Sequence, residues 1–317
     1  MSYDATRGLT VAPEQEQTAI TTAADFNGLS PFEVLAPADQ RLPFVFNSPH
    51  SGCQYPKAFL EASRLDALSI RSSEDSFVDQ LFAHVVPLGA PMLRAHFPRA
   101  FLDVNREPYE LDPKMFSERL PSYANTRSIR VAGGLGTIPK IVSENHNIYR
   151  HNLPVAEALF RIEEIYKPYH STLTRLLAQT HVTFGYAILI DCHSMPSQQR
   201  GPGTESKPDF ILGDRFGTSC DPSLTETAVD LLTDLGYSVS CNKPYAGGFI
   251  TEHYGRPARN LHALQIEINR NLYMDEETQT HHGGFHKLAE DLAHFSAELT
   301  AMPDFAFLPD EESLAAE

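Results

Sequence analysis

The chain has 317 residues, with 41 acidic against 25 basic side chains and a formal net charge of −16. That balance repels nucleic-acid backbones and anionic membrane surfaces, so neither is expected as a partner. A hydrophobic fraction of 42% supports a large buried core, yet no window approaches the ~18 consecutive apolar residues of a membrane span.

Residues 1–30 are rich in Ala, Thr, Glu and Gln without a sustained apolar period and are expected to form a flexible arm, with residues 31–317 as a single domain. The opening MSYDATRGLT lacks the apolar core and basic flank of an export signal, so a cytoplasmic location is expected. After Pro43 the apolar run FVFNS breaks abruptly into PHSG, the pattern of a buried strand ending in a loop, which puts His50 just beyond a strand's C-terminal end. Phe77, Leu81 and Val85 repeat at helical spacing after the acidic SSED, which suits a helix N-terminus. Strands are expected at Pro91 to Ala95, Ala100 to Val104, Tyr186 to Asp191, Phe210 to Leu212, Ser238 to Cys241 and His262 to Ile268. A long amphipathic helix is expected from Pro154 to Gln179 with a kink at Pro168, and further helices from Pro222 to Leu235 and Gly284 to Leu299. Several strands are continuous apolar runs, as in a sheet covered on both faces. The expected fold is therefore α/β, with helix–sheet–helix layers and ligands at the strands' C-terminal ends. Residues 107–147 have weak periodicity, as pocket-shaping segments often do.

Two strand ends carry the same pair, His50–Ser51 in PHSG and His193–Ser194 in IDCHSMPS. Neutral imidazoles on adjacent strand ends can converge on one ion, with SSED supplying a third ligand from Glu74 or Asp75. From spacing alone the structural account is favoured: the histidines donate to loop carbonyls and the acids cap a helix. Glu267, in LQIEINR, is a carboxylate near the end of an otherwise apolar strand, where burial is costly unless it is paired, metal-bound or functional. A salt bridge with Arg270 or Arg256 is one account; a general base beside a metal is the other. Arg99 and Arg106, with Asn105 beside them in PRAFLDVNREP, and Arg256 and Arg259 in EHYGRPARN, could build an anion pocket, since the guanidinium fork matches a carboxylate. Gly247–Gly248 could let the backbone approach a ligand or form a tight turn. The four cysteines, Cys53, Cys192, Cys220 and Cys241, are scattered without a C-x-x-C pair and read as free thiols. Phosphate-loop, dinucleotide-binding and serine-hydrolase motifs are absent.

Taken together, NSPHSG, SEDSFVDQLF, FLDVNREP, DCHSMPS, DFILGD, GGFITEHYGRP and LHALQIEINRNLYMDE resemble the N-formylglutamate amidohydrolase family, from roughly Phe44 to Glu276. That family is similar to zinc carboxypeptidases and aspartoacylase. The resemblance implies a three-layer α/β/α fold with a mixed central sheet and a zinc-dependent amide hydrolase acting on a small N-acyl amino acid. It implies zinc held by His50, His193 and an acid of the SED segment, pointing to Asp75 over Glu74; Cys53 stands where the carboxypeptidases carry a glutamate ligand. It further implies Glu267 as general base and Arg99 polarising the scissile carbonyl. Asn105 and Arg106 would hold an α-carboxylate and Arg256 a second carboxylate. The expected reaction is N-formyl-L-glutamate to formate and L-glutamate. Deacylation of another N-acyl amino acid, or metal-free binding of acidic amino acids, are the alternatives.

Overall fold

The computed structural model describes residues 26, 28–143, 146–197 and 208–302. The arm expected over residues 1–30 lies outside the described residues except at 26 and 28–30. Seven strands form one mixed sheet: Phe32–Leu35 (β1), Phe44–Ser48 (β2), Met92–Ala95 (β3), Ala187–Met195 (β4), Phe210–Gly213 (β5), Val239–Cys241 (β6) and Leu261–Asn269 (β7). Their order is β1-β3-β2-β4-β7-β5-β6. The centre from β3 to β7 is parallel, β1 is antiparallel to β3, and β5 is antiparallel to β7. The helices are Lys57–Ala62 (α1), Val78–Leu81 (α2), Val85–Leu88 (α3), Ile129–Ala132 (α4), Val155–Arg161 (α5), Lys167–Phe184 (α6), Pro222–Asp234 (α7), Phe249–Tyr254 (α8) and Gly284–Thr300 (α9). Among the described residues no helix is long and apolar enough to cross a membrane.

The strand period of two divides the sheet's residues between two cores. Phe44, Phe46, Ile188, Ile190, Leu264, Ile266 and Ile268 face α2, α3, α7 and α9. Val45, Ala187, Leu189 and Ala263 face α5, α6 and α8. On this second face the alternation continues past the apolar residues into Asn47, Asp191, His193, Gln265 and Glu267, all buried. The chemistry-bearing side chains are thus the C-terminal continuation of one core face, which is where a parallel sheet opens.

Three expectations need correction, and one strand is unexpected. Ala100 to Val104 is not a strand but a buried turn: Phe101, Leu102 and Val104 are apolar because they pack against α5 and α6, and the Phe101 carbonyl accepts from Arg161 Nη1 at 2.9 Å. The periodicity from Phe77 to Val85 yields two single turns, α2 and α3: Phe77 is left-handed (φ +66°) and stands before the first turn, and Phe82 (φ −101°, ψ 2°) ends it. The long helix runs on to Phe184, past the expected end at Gln179, and the irregularity at Pro168 takes the form of a π-helical turn over Ile162–Tyr166 directly before it, within a backbone that stays helical throughout. Strand β1 has no counterpart in the expected set; it is a half-buried edge strand of four residues, too short to register as alternation.

Candidate functional site

His193 lies on β4 and His50 just beyond β2, the neighbouring parallel strand. The Asp75 N–H donates to the His50 carbonyl at 3.0 Å, folding the SED segment back onto this strand end. Asp75 Oδ2 then lies 3.0 Å from His193 Nδ1 and 3.5 Å from His50 Nδ1. One ligand atom from each of the three residues falls within 4.8 Å of the others, and all three residues are buried. Each imidazole has its far nitrogen fixed by a carboxylate: His50 Nε2 is 2.8 Å from Asp103 Oδ1, and His193 Nε2 is 2.9 Å from Asp191 Oδ2. A proton on each Nε2 leaves both Nδ1 lone pairs turned toward Asp75, the arrangement by which outer carboxylates orient metal-binding histidines. The buried His50 Nδ1 has no hydrogen-bond partner among the described residues. Burial opposes a charged His193, yet Asp191 and Asp75 outweigh it and hold its pKa well above the ordinary value. The spot therefore favours positive charge, and an orphaned imidazole nitrogen beside a second imidazole and a carboxylate fits a divalent cation.

Glu74 points elsewhere. Its carboxylate accepts from Tyr55 Oη at 2.6 Å, Arg71 at 3.0 and 3.1 Å, and Ser76 Oγ at 3.0 Å. Asp75's remaining oxygen, Oδ1, accepts from Arg270 Nη2 at 3.1 Å and Ser194 Oγ at 3.3 Å. Arg270 is thereby engaged with Asp75, and the Arg270–Glu267 and Arg256–Glu267 salt bridges considered from the sequence do not form.

These groups open into a cavity of about 790 Å³, lined among others by His50, His193, Glu267, Arg99, Asn105, Arg106, Gly247 and Gly248. Glu267 Oε1 accepts from Gln265 Nε2 at 2.9 Å, and burial pushes its pKa up to about 7 against the pull of His193. A carboxyl group so tuned can take up and release a proton near neutrality. Arg99 Nη2 donates to Asp103 Oδ2 at 2.9 Å, and Arg106 Nη2 lies 3.6 Å from the same oxygen. The Nε and Nη1 of Arg106 are given to the carbonyls of Leu135 and Asn105. Asn105 spans the site: its Oδ1 accepts from the Ile250 N–H at 2.8 Å, and its Nδ2 lies 3.2 Å from His193 Nε2. Gly248 backs directly onto this amide, where a Cβ would come within 2.4 Å of it, and its N–H donates to Gln265 Oε1 at 2.8 Å. Gly247 turns the chain at φ +109°.

Arg256 is the sequence-derived candidate that the structure leaves out. It is exposed beyond α8, does not line the cavity, and its Nε donates to the His253 carbonyl at 3.2 Å. Helix α8 carries the chain from Gly248 at the cavity outward, and Arg256 and Arg259 sit at its far end. Conversely, the sequence reading passed over Asp103, Asp191, Gln265 and Arg130, and considered Arg270 only as a salt-bridge partner of Glu267. Asp191 and Gln265 each precede a singled-out residue by two positions on the same strand, a signal that was available. Asp103 meets His50 only through the fold.

A mixed α/β sheet whose central strand ends gather two histidines and a carboxylate beside a buried glutamate and arginines defines an α/β protein with a candidate metal-binding cluster in a charged cavity. Comparison with known proteins narrows it. Residues 42–274 match the N-formylglutamate amidohydrolase family. N-formylglutamate deformylase from Pseudomonas aeruginosa is 33% identical over 249 residues, covering 77% of this chain and 87% of that protein. The deformylase from Pseudomonas putida is 34% identical over 247 residues, covering 77% and 86%. The crystal structure of N-formylglutamate amidohydrolase from Ralstonia eutropha JMP134 superposes with a TM-score of 0.80 at 35% identity, over 86% of this chain and 98% of that one. A gene product of Agrobacterium tumefaciens, 18% identical with a TM-score of 0.63 over 89% of this chain and 98% of that one, shares the fold. The chain belongs to the N-formylglutamate amidohydrolase family.

Proposed function

We propose that this protein is a zinc-dependent deformylase that hydrolyses N-formyl-L-glutamate to formate and L-glutamate. The observation that carries the reading is the His50–Asp75–His193 donor set, whose two histidines line one cavity with the buried Glu267 and several arginines; family membership supports it. His50, Asp75 and His193 would hold the ion, which supplies Lewis-acid polarisation of the kind that makes water nucleophilic near pH ~7. Glu267 takes a proton from the attacking water at its carboxylate and returns it to the nitrogen of the departing amine. The formyl carbon first gains the water oxygen, and the C–N bond then breaks as the nitrogen takes the proton from Glu267, giving formate and a free amine. Arg99 faces the same space and stabilises negative charge as it develops on the carbonyl oxygen. Arg106, with Asn105 beside it, holds the α-carboxylate through Nη2, the guanidinium nitrogen not spent on backbone carbonyls. Gly247 and Gly248 let the chain carrying them run close along the substrate.

The deciding experiment is an assay of formate release from N-formyl-L-glutamate together with elemental analysis of the purified protein. Stoichiometric zinc and turnover are expected; metal-free protein with full turnover would remove the zinc, and zinc-loaded protein without turnover would remove the substrate. The size of the cavity favours one second reading, hydrolysis of a larger acyl group, because about 790 Å³ is within the range that accommodates drug-sized ligands. Parallel assays with N-acetyl and longer N-acyl glutamates separate the two.

A further inference from the structure

Among the described residues, one cation of the cavity has no anionic partner. Arg99 and Arg106 share the Asp103 carboxylate, and Arg270 is engaged with Asp75. Arg130, on the single turn α4, lines the same cavity. Among the described residues its guanidinium has no hydrogen bond and no ion pair. It stands near enough to Arg106 for the two positive charges to repel each other. Guanidiniums lining one cavity, with one carboxylate already shared between Arg99 and Arg106, cost free energy that an entering anion offsets.

The turn that carries Arg130 is anchored. Ser128 Oγ accepts from the Val131 N–H at 3.0 Å, and the Leu135 N–H donates back to the Arg130 carbonyl at 2.8 Å. Leu135 in turn accepts from Arg106 Nε at 2.8 Å, so the two arginines are tied to one backbone segment. Leu135, Pro139, Ile141 and Val142 line the cavity in the same stretch of chain, an apolar wall suited to a short methylene arm. A carboxylate at the end of such an arm is the complementary ligand, and Arg106 already answers a carboxylate closer to the reacting centre.

We infer that Arg130 receives the side-chain carboxylate of a dicarboxylic N-acyl amino acid and thereby sets the preference of the site for glutamate-type over neutral substrates. It takes the role that the family resemblance assigned to Arg256. The inference rests on the hydrolase reading above, and its test is chosen to stand apart from turnover. Titration calorimetry of the metal-loaded protein with L-glutamate and with L-glutamine compares the two ligands in the unaltered protein and in Arg130→Ala, Arg130→Lys and Arg256→Ala. The expected result is that Arg130→Ala lowers the glutamate-over-glutamine affinity ratio by ~10–10²-fold, the size of one lost charge-assisted pair. Arg130→Lys recovers part of it, and Arg256→Ala leaves it unchanged. The kcat/KM ratio for the two N-formyl substrates should fall in parallel, through KM. An equal loss for both ligands, or no loss for either, overturns the assignment. Absence of turnover in the unaltered protein would remove the hydrolase reading, while the calorimetric ratio still decides the role of Arg130.

Discussion

His193 and Glu267 are direct partners in the parallel pairing of β4 with β7. Both side chains stand on the face that carries Asp191 and Gln265 one step earlier along each strand, so each functional residue has a same-face neighbour that orients it. The relationship is a consequence of register. A slip of one residue between β4 and β7 would leave the strand directions intact and send the two side chains to opposite faces. The apolar Ile188, Ile190, Ile266 and Ile268, buried on the other side, fix the register against that slip.

Removing the proton acceptor without disturbing this frame is the sharpest test of Glu267. The Glu267→Gln change keeps the volume and the contact with Gln265, and kcat is expected to fall by ~10²–10⁴-fold while zinc content stays the same. Formate release and elemental analysis on the same preparation are the readouts. Turnover at the unaltered rate would return the glutamate to a structural role.

The pH profile follows from the same residue. Burial raises the Glu267 pKa to about 7, and a cation at the adjacent donor set pulls it down from there. Because the carboxylate is the active form, kcat/KM is expected to fall as pH drops through the pKa, giving an acid limb at or below about 7. A profile that stays flat from pH ~8 to ~5 would show that no such base is required.

Asp75 and Glu74 are adjacent and both buried, yet they are expected to behave oppositely. Asp75→Asn removes the carboxylate facing both histidines and is expected to abolish stoichiometric zinc binding. Glu74→Gln is expected to retain zinc and to lower stability by ~1–3 kcal/mol, because it breaks the buried contacts with Arg71, Tyr55 and Ser76. Zinc content and thermal denaturation of the two variants give the comparison, and the reverse pattern would move the third ligand to Glu74.

The outer carboxylates make a separate prediction. Asp191→Asn weakens the partner of His193 Nε2 but leaves all three donors in place, so zinc affinity is expected to drop by ~10–100-fold. Competition against a chromophoric chelator measures it; an unchanged affinity would mean that the Asp191 contact does not orient the ring.

The parts of this site that could be read from sequence are those with a period. The apolar alternation through β4 and β7 announces strands, and a His or Glu continuing that alternation at the C-terminal end announces a site. Asp103 and Arg130 lie in segments with no period, and their partnership with the strand ends depends on how residues 98–143 fold over the sheet. Arg256 illustrates the opposite error. Its motif is adjacent in sequence to Gly247–Gly248, which do line the cavity, but six residues of helix are enough to carry a side chain out of it. The fold class, in contrast, follows from the alternation of buried strands and amphipathic helices alone, and neither Ala100 to Val104 nor β1 changes it.

Gly248 gives the last prediction, because its role here is steric. With φ of −85° the position tolerates any L-residue, so alanine brings no backbone penalty of its own. What it brings is a Cβ within 2.4 Å of the Asn105 amide, which no side-chain contact sustains. Asn105 cannot simply move away: its Oδ1 holds the Ile250 N–H and its Nδ2 faces His193. Either the amide tilts off His193 or α8 shifts, and a displacement on that scale in a catalytic frame can cost on the order of 10²-fold in rate. Gly248→Ala is therefore expected to fold and to lose ~10–10²-fold in kcat/KM. Truncating the amide should relieve the clash, so the double variant Gly248→Ala, Asn105→Ala is expected to be no worse than Asn105→Ala alone. Kinetics of the two single variants and the double variant settle it: losses that simply add would mean that the glycine and the amide act independently, and that the close approach seen between them does not position the site.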